Sequence, residues 1–214
     1  EPPGSSVWPA RLVFATGNRG KLREVAEILA PAGVTVLGSA EVAPGWSVVE
    51  DGETFAANAR RKAESLARAT GLPALGDDSG LEVAALGGRP GVRSARYAGE
   101  HATDAENTAL LLRELADVPD DARAAAFRCA LVLAWPDGRS VEAEGRCDGR
   151  IARAPHGEGG FGYDPVFVDP ASGRTFAELP SEAKNAFSHR RRALDALARA
   201  LGTGAGGDLQ RPRA

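Results

Sequence analysis

The sequence of 214 residues has no methionine, two cysteines and three histidines. Cys129 and Cys147 are too few for a disulfide scaffold and too far apart for a close metal-ligand pair. No run approaches the ~18 consecutive apolar residues that a membrane-spanning helix needs. The stretch Glu1 to Ala10 lacks the basic-then-apolar order of a signal peptide. With no Met anywhere, Glu1 is not expected to be the native start. An excess of positive charge is missing too: the formal charge is −3, which argues against a protein that holds nucleic acid polymers by charge. Lysine is the scarcest basic side chain after histidine is set aside, with 3 Lys (Lys21, Lys62 and Lys184) against 23 Arg. In a chain so rich in Arg and Ala, a retained lysine is either a chance leftover or marks a place where a compact ammonium is required and a planar guanidinium would not fit.

What is present is 43% apolar and 26% charged residues, enough for a sizeable core. The length suits one large domain or two lobes sharing a core. The expectation is a globular cytoplasmic protein with no membrane and no nucleic acid polymer as partner. Residues 1–10 read as an irregular leader, 11–201 as a single domain and 202–214 as a flexible Gly-rich tail.

The pattern along the domain is mixed α/β. Arg11 to Ala15 is a short strand running into Thr16-Gly17-Asn18, and a helix follows with Leu22, Val25, Ala26 and Leu29 on one face. Val34 to Leu37 is a second strand, and a helix spans about Thr54 to Thr70. Ala74 to Gly76 reads as a brief strand that delivers Asp77-Asp78-Ser79-Gly80. Thr103 to Glu106 is a capping box, and Pro136-Asp137-Gly138 joins two long strands, Arg123 to Ala134 and Arg139 to Ile151. A glycine-dense loop precedes Tyr163, and Ser181 to Leu201 reads as one closing helix.

Five clusters could carry chemistry. Thr16, Gly17, Asn18, Arg19, Gly20 and Lys21 sit between strand and helix, where backbone amides and one ammonium form an anion site; an ordinary tight connection capped by Asn18 is the plainer alternative. The spacing is not that of the GxxxxGK[ST] phosphate loop. Glu50 precedes a helix on which Asn58 and Lys62 share a face, and a solvated polar face accounts for Asn58 equally well. Asp77-Asp78-Ser79-Gly80 offers adjacent hard carboxylates, which suit Mg²⁺ together with substrate phosphates or, alternatively, a polar turn. Phe161-Gly162-Tyr163-Asp164 offers aromatic surface and a carboxylate for a base, or a packed aromatic loop. Lys184 with Ser188-His189-Arg190 gathers hydrogen-bond donors, of which His189 and Arg190 suit a carbonyl or phosphate. All three lysines fall inside these clusters, and together they are what a nucleoside triphosphate site requires.

In this order the motifs resemble the inosine triphosphate pyrophosphatase family, the noncanonical purine nucleoside triphosphate diphosphatases. The resemblance rests on Thr16-Gly17-Asn18…Lys21, Glu50-Asp51-Gly52-Glu53-Thr54-Phe55…Asn58-Ala59…Lys62-Ala63, Asp77-Asp78-Ser79-Gly80-Leu81, Pro90-Gly91…Ser94-Ala95-Arg96-Tyr97, Gly159 to Pro165 and Lys184…Ser188-His189-Arg190, and it runs from about Arg11 to Leu201. It implies an elongated mixed α/β sheet in two lobes with a central nucleotide-binding cleft. It also implies a homodimer and Mg²⁺-dependent hydrolysis of ITP, dITP and XTP to the monophosphate and pyrophosphate, cleansing the nucleotide pool. By the same resemblance Thr16 to Lys21 hold the triphosphate and Lys62 contacts phosphate. Glu50 and Asp78 bind Mg²⁺, and Asp78 is also the base that activates water. Ser79 contacts substrate, Phe161 to Asp164 stack on and edge the base, Lys184 contacts the nucleotide, and His189 and Arg190 read the 6-oxo group. The family's Glu-rich stretch before Glu50 is here Val48-Val49, which leaves open which carboxylate of that loop faces the metal. Two rivals stand beside this reading: a pyrophosphatase for modified pyrimidine or standard nucleotides, and a nucleotide-binding regulator without catalysis.

Overall fold

The structure, a computed structural model, describes residues 7–203. Twelve regular elements follow one another: β1 (Arg11–Ala15), α1 (Arg19–Leu29), β2 (Thr35–Gly38), α2 (Ser39–Val42), α3 (Phe55–Thr70), β3 (Ala74–Val83), α4 (Asp104–Glu114), β4 (Ala124–Ala134), β5 (Ser140–Ile151), β6 (Phe167–Val168), α5 (Ser181–Asn185) and α6 (His189–Gly202). The strands form one mixed sheet of six in the order β2-β1-β3-β4-β5-β6. β1 runs parallel to both β2 and β3, whereas β5 and β6 are antiparallel. This is the mixed α/β class expected from the sequence pattern.

The described chain divides into two compact units. The first holds the residues up to Asp78, 130–145, and those from Arg191 onward; the second holds 79–129 and 146–190. In the first unit Val13 and Ala15 of β1 pack with Ala59, Ala63, Leu66 and Ala67, the apolar stripe of α3, and with Ala74, Ala130, Val132 and Ala134. So many alanines allow the backbones to approach closely. A Cβ on Gly76 of β3 would lie 2.1 Å from the Ala59 carbonyl oxygen and 2.8 Å from the Ala63 nitrogen, so only glycine fits where β3 meets α3. Thr54 caps α3 by accepting from the Ala57 amide, and Gly71 ends it in the left-handed conformation.

The second unit has a larger, aromatic core. Leu81 and Val83 of β3 point into it with Leu111 and Leu115, Phe127, Cys147, Ile151, Tyr163, Phe167 and Phe176. Phe127 packs on Phe167 with ring centroids 4.2 Å apart, and Phe167 meets Phe176 edge-on at 4.9 Å. The expected capping box forms: Thr103 accepts from the Glu106 amide while Glu106 reaches back to the Thr103 amide. Cys129 and Cys147 are both buried.

Four features differ from the sequence pattern. β3 does not stop at Gly76 but continues to Val83, so Asp77-Asp78-Ser79-Gly80 is strand and not turn; Leu81 and Val83 alternate onto the core and carry the pairing through the polar residues. The expected helix from Ser181 to Leu201 is broken into α5 and α6. At the break Phe187 meets Phe176 edge-on at 5.7 Å, and Ser188, a residue type favoured just ahead of a helix, precedes His189. The four-residue α2 had no signal in the pattern. Trp8, within the stretch expected to be an irregular leader, is buried. The rest of that leader, 1–6, and most of the expected tail, 204–214, lie outside the described residues, while Gly202 closes α6. Among the described residues no helix is long and apolar enough to cross a membrane.

Candidate active site

The first unit gathers two of the three lysines around the acidic pair. β1 leads into Thr16, whose hydroxyl accepts from the Asn18 amide at 3.0 Å. Asn18 is extended and caps α1, its Oδ1 accepting from the amides of Gly20 at 2.8 Å and Lys21 at 3.1 Å. Two of the amides expected to face an anion therefore serve the helix cap. Arg19 is exposed, and a side chain at Gly17 would meet no atom within 4 Å. Lys21, one turn into α1, extends its Nζ to Asp77 Oδ1 at 2.7 Å.

Lys62, buried on α3, bridges two further elements. Its Nζ donates to the Asp77 carbonyl oxygen at 2.8 Å and pairs with Glu50 Oε2 at 2.9 Å. Glu50 comes from the irregular segment before α3, and its neighbour Asp51 pairs with Arg61. One residue on from Asp77, Asp78 is also buried, and its Oδ2 accepts from Asn58 Nδ2 at 2.9 Å. Burial pushes the Asp78 carboxyl up from 3.8 to about 6. Lys62, the Asn58 hydrogen bond and Lys21 all pull it down, and the neighbouring Asp77 charge pushes it up slightly; desolvation outweighs them. A carboxylate in this range is ionised near neutral pH yet basic enough to take a proton from water.

The structure thus links Lys21, Glu50, Lys62 and Asp77 through direct contacts, with Asp78 next along the strand and bonded to Asn58. The donor set suits a hard divalent cation, since all its metal-ligating atoms are carboxylate oxygens. Among the described residues no three His, Cys, Asp or Glu side chains are gathered into a ready cage. Mg²⁺ characteristically takes one or two carboxylates and fills its remaining positions with phosphate and water, so Glu50 and Asp78 fit it.

The second unit gathers the third lysine with the aromatic loop. Lys184 Nζ lies 2.7 Å from Asp164 Oδ2 and 4.4 Å from the centre of the Phe161 ring. The Arg190 guanidinium stands 5.9 Å from the same ring and donates to Ser79 Oγ at 2.8 Å. Asp164 Oδ2 also accepts from the Phe161 amide at 3.1 Å, and a Cβ on Gly160 would strike that carboxylate oxygen at 2.1 Å. Gly162 donates its amide to Asp104 Oδ2 at 2.8 Å. Tyr163 is turned inward: it is buried, its hydroxyl donates to the Ser94 carbonyl oxygen at 2.7 Å, and burial pushes its pKa up. Ser94 in turn accepts from the Leu81 amide at 2.9 Å, which gives the Pro90 to Tyr97 motif a structural use. His189 is buried and stacks on Phe127, with centroids 4.7 Å apart and planes at 20°.

The sequence pattern grouped Asn58 with Glu50 and Lys62 without giving it a role, and it did not place Asp104 near the site. Asn58 has a recoverable signal: it sits on the same helix face as Ala59, Lys62 and Ala63, and a fully buried amide there is costly unless it is bonded. Asp104 has none, because its contact with Gly162 joins residues that are 58 apart in sequence.

The chain matches the Ham1 family over residues 12–200. It is 54% identical to the dITP/XTP pyrophosphatase of Geobacter sulfurreducens over 192 residues, covering 90% of this chain and 96% of that protein. It is 53% identical to the protein of the same name from Thermus thermophilus over 194 residues, covering 91% and 93%. Among solved structures it is similar to the Ham1 protein of Staphylococcus aureus, with a TM-score of 0.79 at 40% identity, covering 91% of this chain and 99% of that one. The dITP/XTP pyrophosphatase of Mycobacterium abscessus gives 0.69 at 47% identity, covering 87% and 97%.

Proposed function

The chain belongs to the Ham1 family, and from that premise we propose that it is a nucleoside triphosphate pyrophosphatase that hydrolyses ITP, dITP and XTP to the monophosphate and pyrophosphate. The observation that carries the chemistry is the buried Asp78 carboxylate, raised to about 6 and surrounded by Lys62, Asn58 and Lys21. Asp78 takes a proton from water, the resulting hydroxide attacks the α-phosphorus, and the bond to the β-phosphate oxygen breaks to release pyrophosphate. Lys21 and Lys62 leave their carboxylate partners to meet the triphosphate, offsetting charge that grows on the leaving group. Glu50 and Asp78 would hold Mg²⁺, whose divalent charge adds to that offset when it is bound.

At the base, the Phe161 face is the stacking surface. Lys184 is held by Asp164, and Arg190 by Ser79, so neither has to be ordered anew when nucleotide arrives. An N–H donor opposite position 6 donates to an oxo group. Opposite an amino group it is left unpaired, at a cost of about 1–3 kcal/mol for a buried group, which favours hypoxanthine and xanthine over adenine. The family resemblance further supports a homodimer in the cytoplasm, where nucleoside triphosphates are kept; sedimentation at twice 22.2 kDa would support the dimer, and sedimentation at 22.2 kDa would remove it.

The deciding experiment is pyrophosphate release from ITP and from ATP, each with Mg²⁺ and with EDTA. ITP-selective release abolished by EDTA is the expected result. ITP binding without any release would instead make the protein a nucleotide-binding regulator. Preference for a pyrimidine or for ATP would overturn the substrate class.

A further inference from the structure

The Asn58 side chain makes three hydrogen bonds that use both of its amide functions. Its Nδ2 donates to Asp78 Oδ2 at 2.9 Å and to the Gly52 carbonyl oxygen at 3.4 Å. Its Oδ1 accepts from the Gly52 amide at 2.8 Å. The opposite amide orientation would set Oδ1 against a carboxylate and Nδ2 against an N–H, so the neighbours permit only this one. Asn58 is 1% exposed, on the buried face of α3 that also carries Ala59, Lys62, Ala63, Leu66 and Ala67, so a polar side chain there is tolerated only because it is fully bonded. Gly52 is shaped for the contact: a Cβ on it would fall 2.5 Å from Asn58 Oδ1 and 3.1 Å from the Ala57 Cβ.

We propose that Asn58 is a positioning residue that fixes the Asp78 carboxylate with Oδ2 engaged and Oδ1 left to receive the proton, and that ties the Glu50 segment to α3 through Gly52. This rests on the proposed pyrophosphatase reading. No other residue type meets both demands. Aspartate at 58 keeps an acceptor for the Gly52 amide but has no donor for Asp78. Alanine loses both ties. Glutamine is one methylene too long for a site where Gly52 already stands at contact distance. The single amide therefore sets the direction of the base and the anchorage of the loop that carries the neighbouring carboxylate. A general base must present its free oxygen within hydrogen-bond reach of the water it deprotonates, and small misplacements cost about 100-fold in rate.

The test separates the two ties. Wild type, Asn58→Ala and Asn58→Asp are compared for kcat and KM on ITP, for melting by circular dichroism, and for digestion by a glutamate-specific protease, which cuts after Glu50 and Glu53 in that segment. The expected result for Asn58→Ala is a kcat lowered about 100-fold with KM within about 3-fold, and faster cutting after Glu50 and Glu53. Asn58→Asp is expected to lose kcat to a similar degree while being cut at the wild-type rate, because its Oδ still accepts from the Gly52 amide. A folded Asn58→Ala with kcat within 2-fold of wild type overturns the base-positioning role. A loss confined to KM does the same, and unchanged cutting overturns the loop tie. Should Asn58→Ala fail to fold, the nearly isosteric Asn58→Asp carries the kcat test. If wild type itself releases no pyrophosphate from ITP, the pyrophosphatase reading fails, and the protease comparison still decides the loop tie.

Discussion

Asp78, the proposed base, is the residue at which the proposed function and stability pull apart. Its carboxyl is held at about 6 in the folded chain against 3.8 as the reference value. Between those values the folded protein keeps a proton that the unfolded chain releases, so stability rises as pH falls through this window and is lower above it. Asp78→Asn removes the buried charge while keeping the shape and a carbonyl oxygen for Asn58. It is expected to abolish turnover and to unfold at higher denaturant at pH 8, by up to about 3 kcal/mol for a shift of this size. The two proteins should converge by about pH 4, where the wild-type carboxyl is neutral as well. Denaturant melts at pH 8 and pH 4 check this; equal stability at pH 8 would mean that Asp78 is not strained by its burial. The residue identities of this cluster were legible in the sequence, because scarce lysines and paired carboxylates stand out from an Arg- and Ala-rich background. The inward turn of Tyr163 and the stacking of His189 on Phe127 were not, since an aromatic in a glycine-rich loop, or a histidine at the start of a helix, reads the same whether it faces ligand or core.

At the scale of elements, periodicity located β1, α1, α3, α4 and the β4–β5 hairpin. It failed where a local rule was overridden by packing. Asp77-Asp78-Ser79-Gly80 has turn composition, yet the core positions Leu81 and Val83 keep it in strand. That difference matters chemically, for a strand interior buries both carboxylates, while a turn would leave them in water. The contact of β3 with α3 gives a sharp prediction. Gly76→Ala places a methyl 2.1 Å from the Ala59 carbonyl oxygen, so backbone must shift in a place where nothing flexible can yield. Overpacking of this kind costs about 1–3 kcal/mol or more. Gly76→Ala should therefore lower the melting temperature, and it should also reduce kcat, since Asp77 and Asp78 follow directly on the displaced strand. A variant that melts like wild type would show that the strand and helix are less tightly apposed.

For the molecule as a whole, each compact unit has its own core and its own polar cluster, one with alanine packing and an acidic pair, the other with aromatic packing and a cationic pair at Phe161. In the first unit Lys21 and Lys62 are neutralised by Asp77 and Glu50. Phosphate alone would strand those carboxylates, and a divalent cation alone would strand the lysines, whereas together each offsets part of the charge that the other brings. Mg²⁺ and pyrophosphate added together should thus raise the melting temperature by more than the sum of their separate effects. Saturation at 100 times Kd corresponds to about 2.7 kcal/mol. Purely additive shifts, read by differential scanning fluorimetry, would remove the exchange.

The sequence by itself determined the fold class, the boundaries of most elements, the family resemblance and the clusters from which the candidate site is proposed, because apolar period, caps and turn residues are local and because rare residue types in fixed order are informative without coordinates. Only the tertiary structure decided the pKa of Asp78, the direction in which each side chain points, and the use of Asn58. Those depend on burial and on contacts between residues distant in the chain, Asn58 with Asp78 and Lys21 with Asp77, which no local pattern encodes.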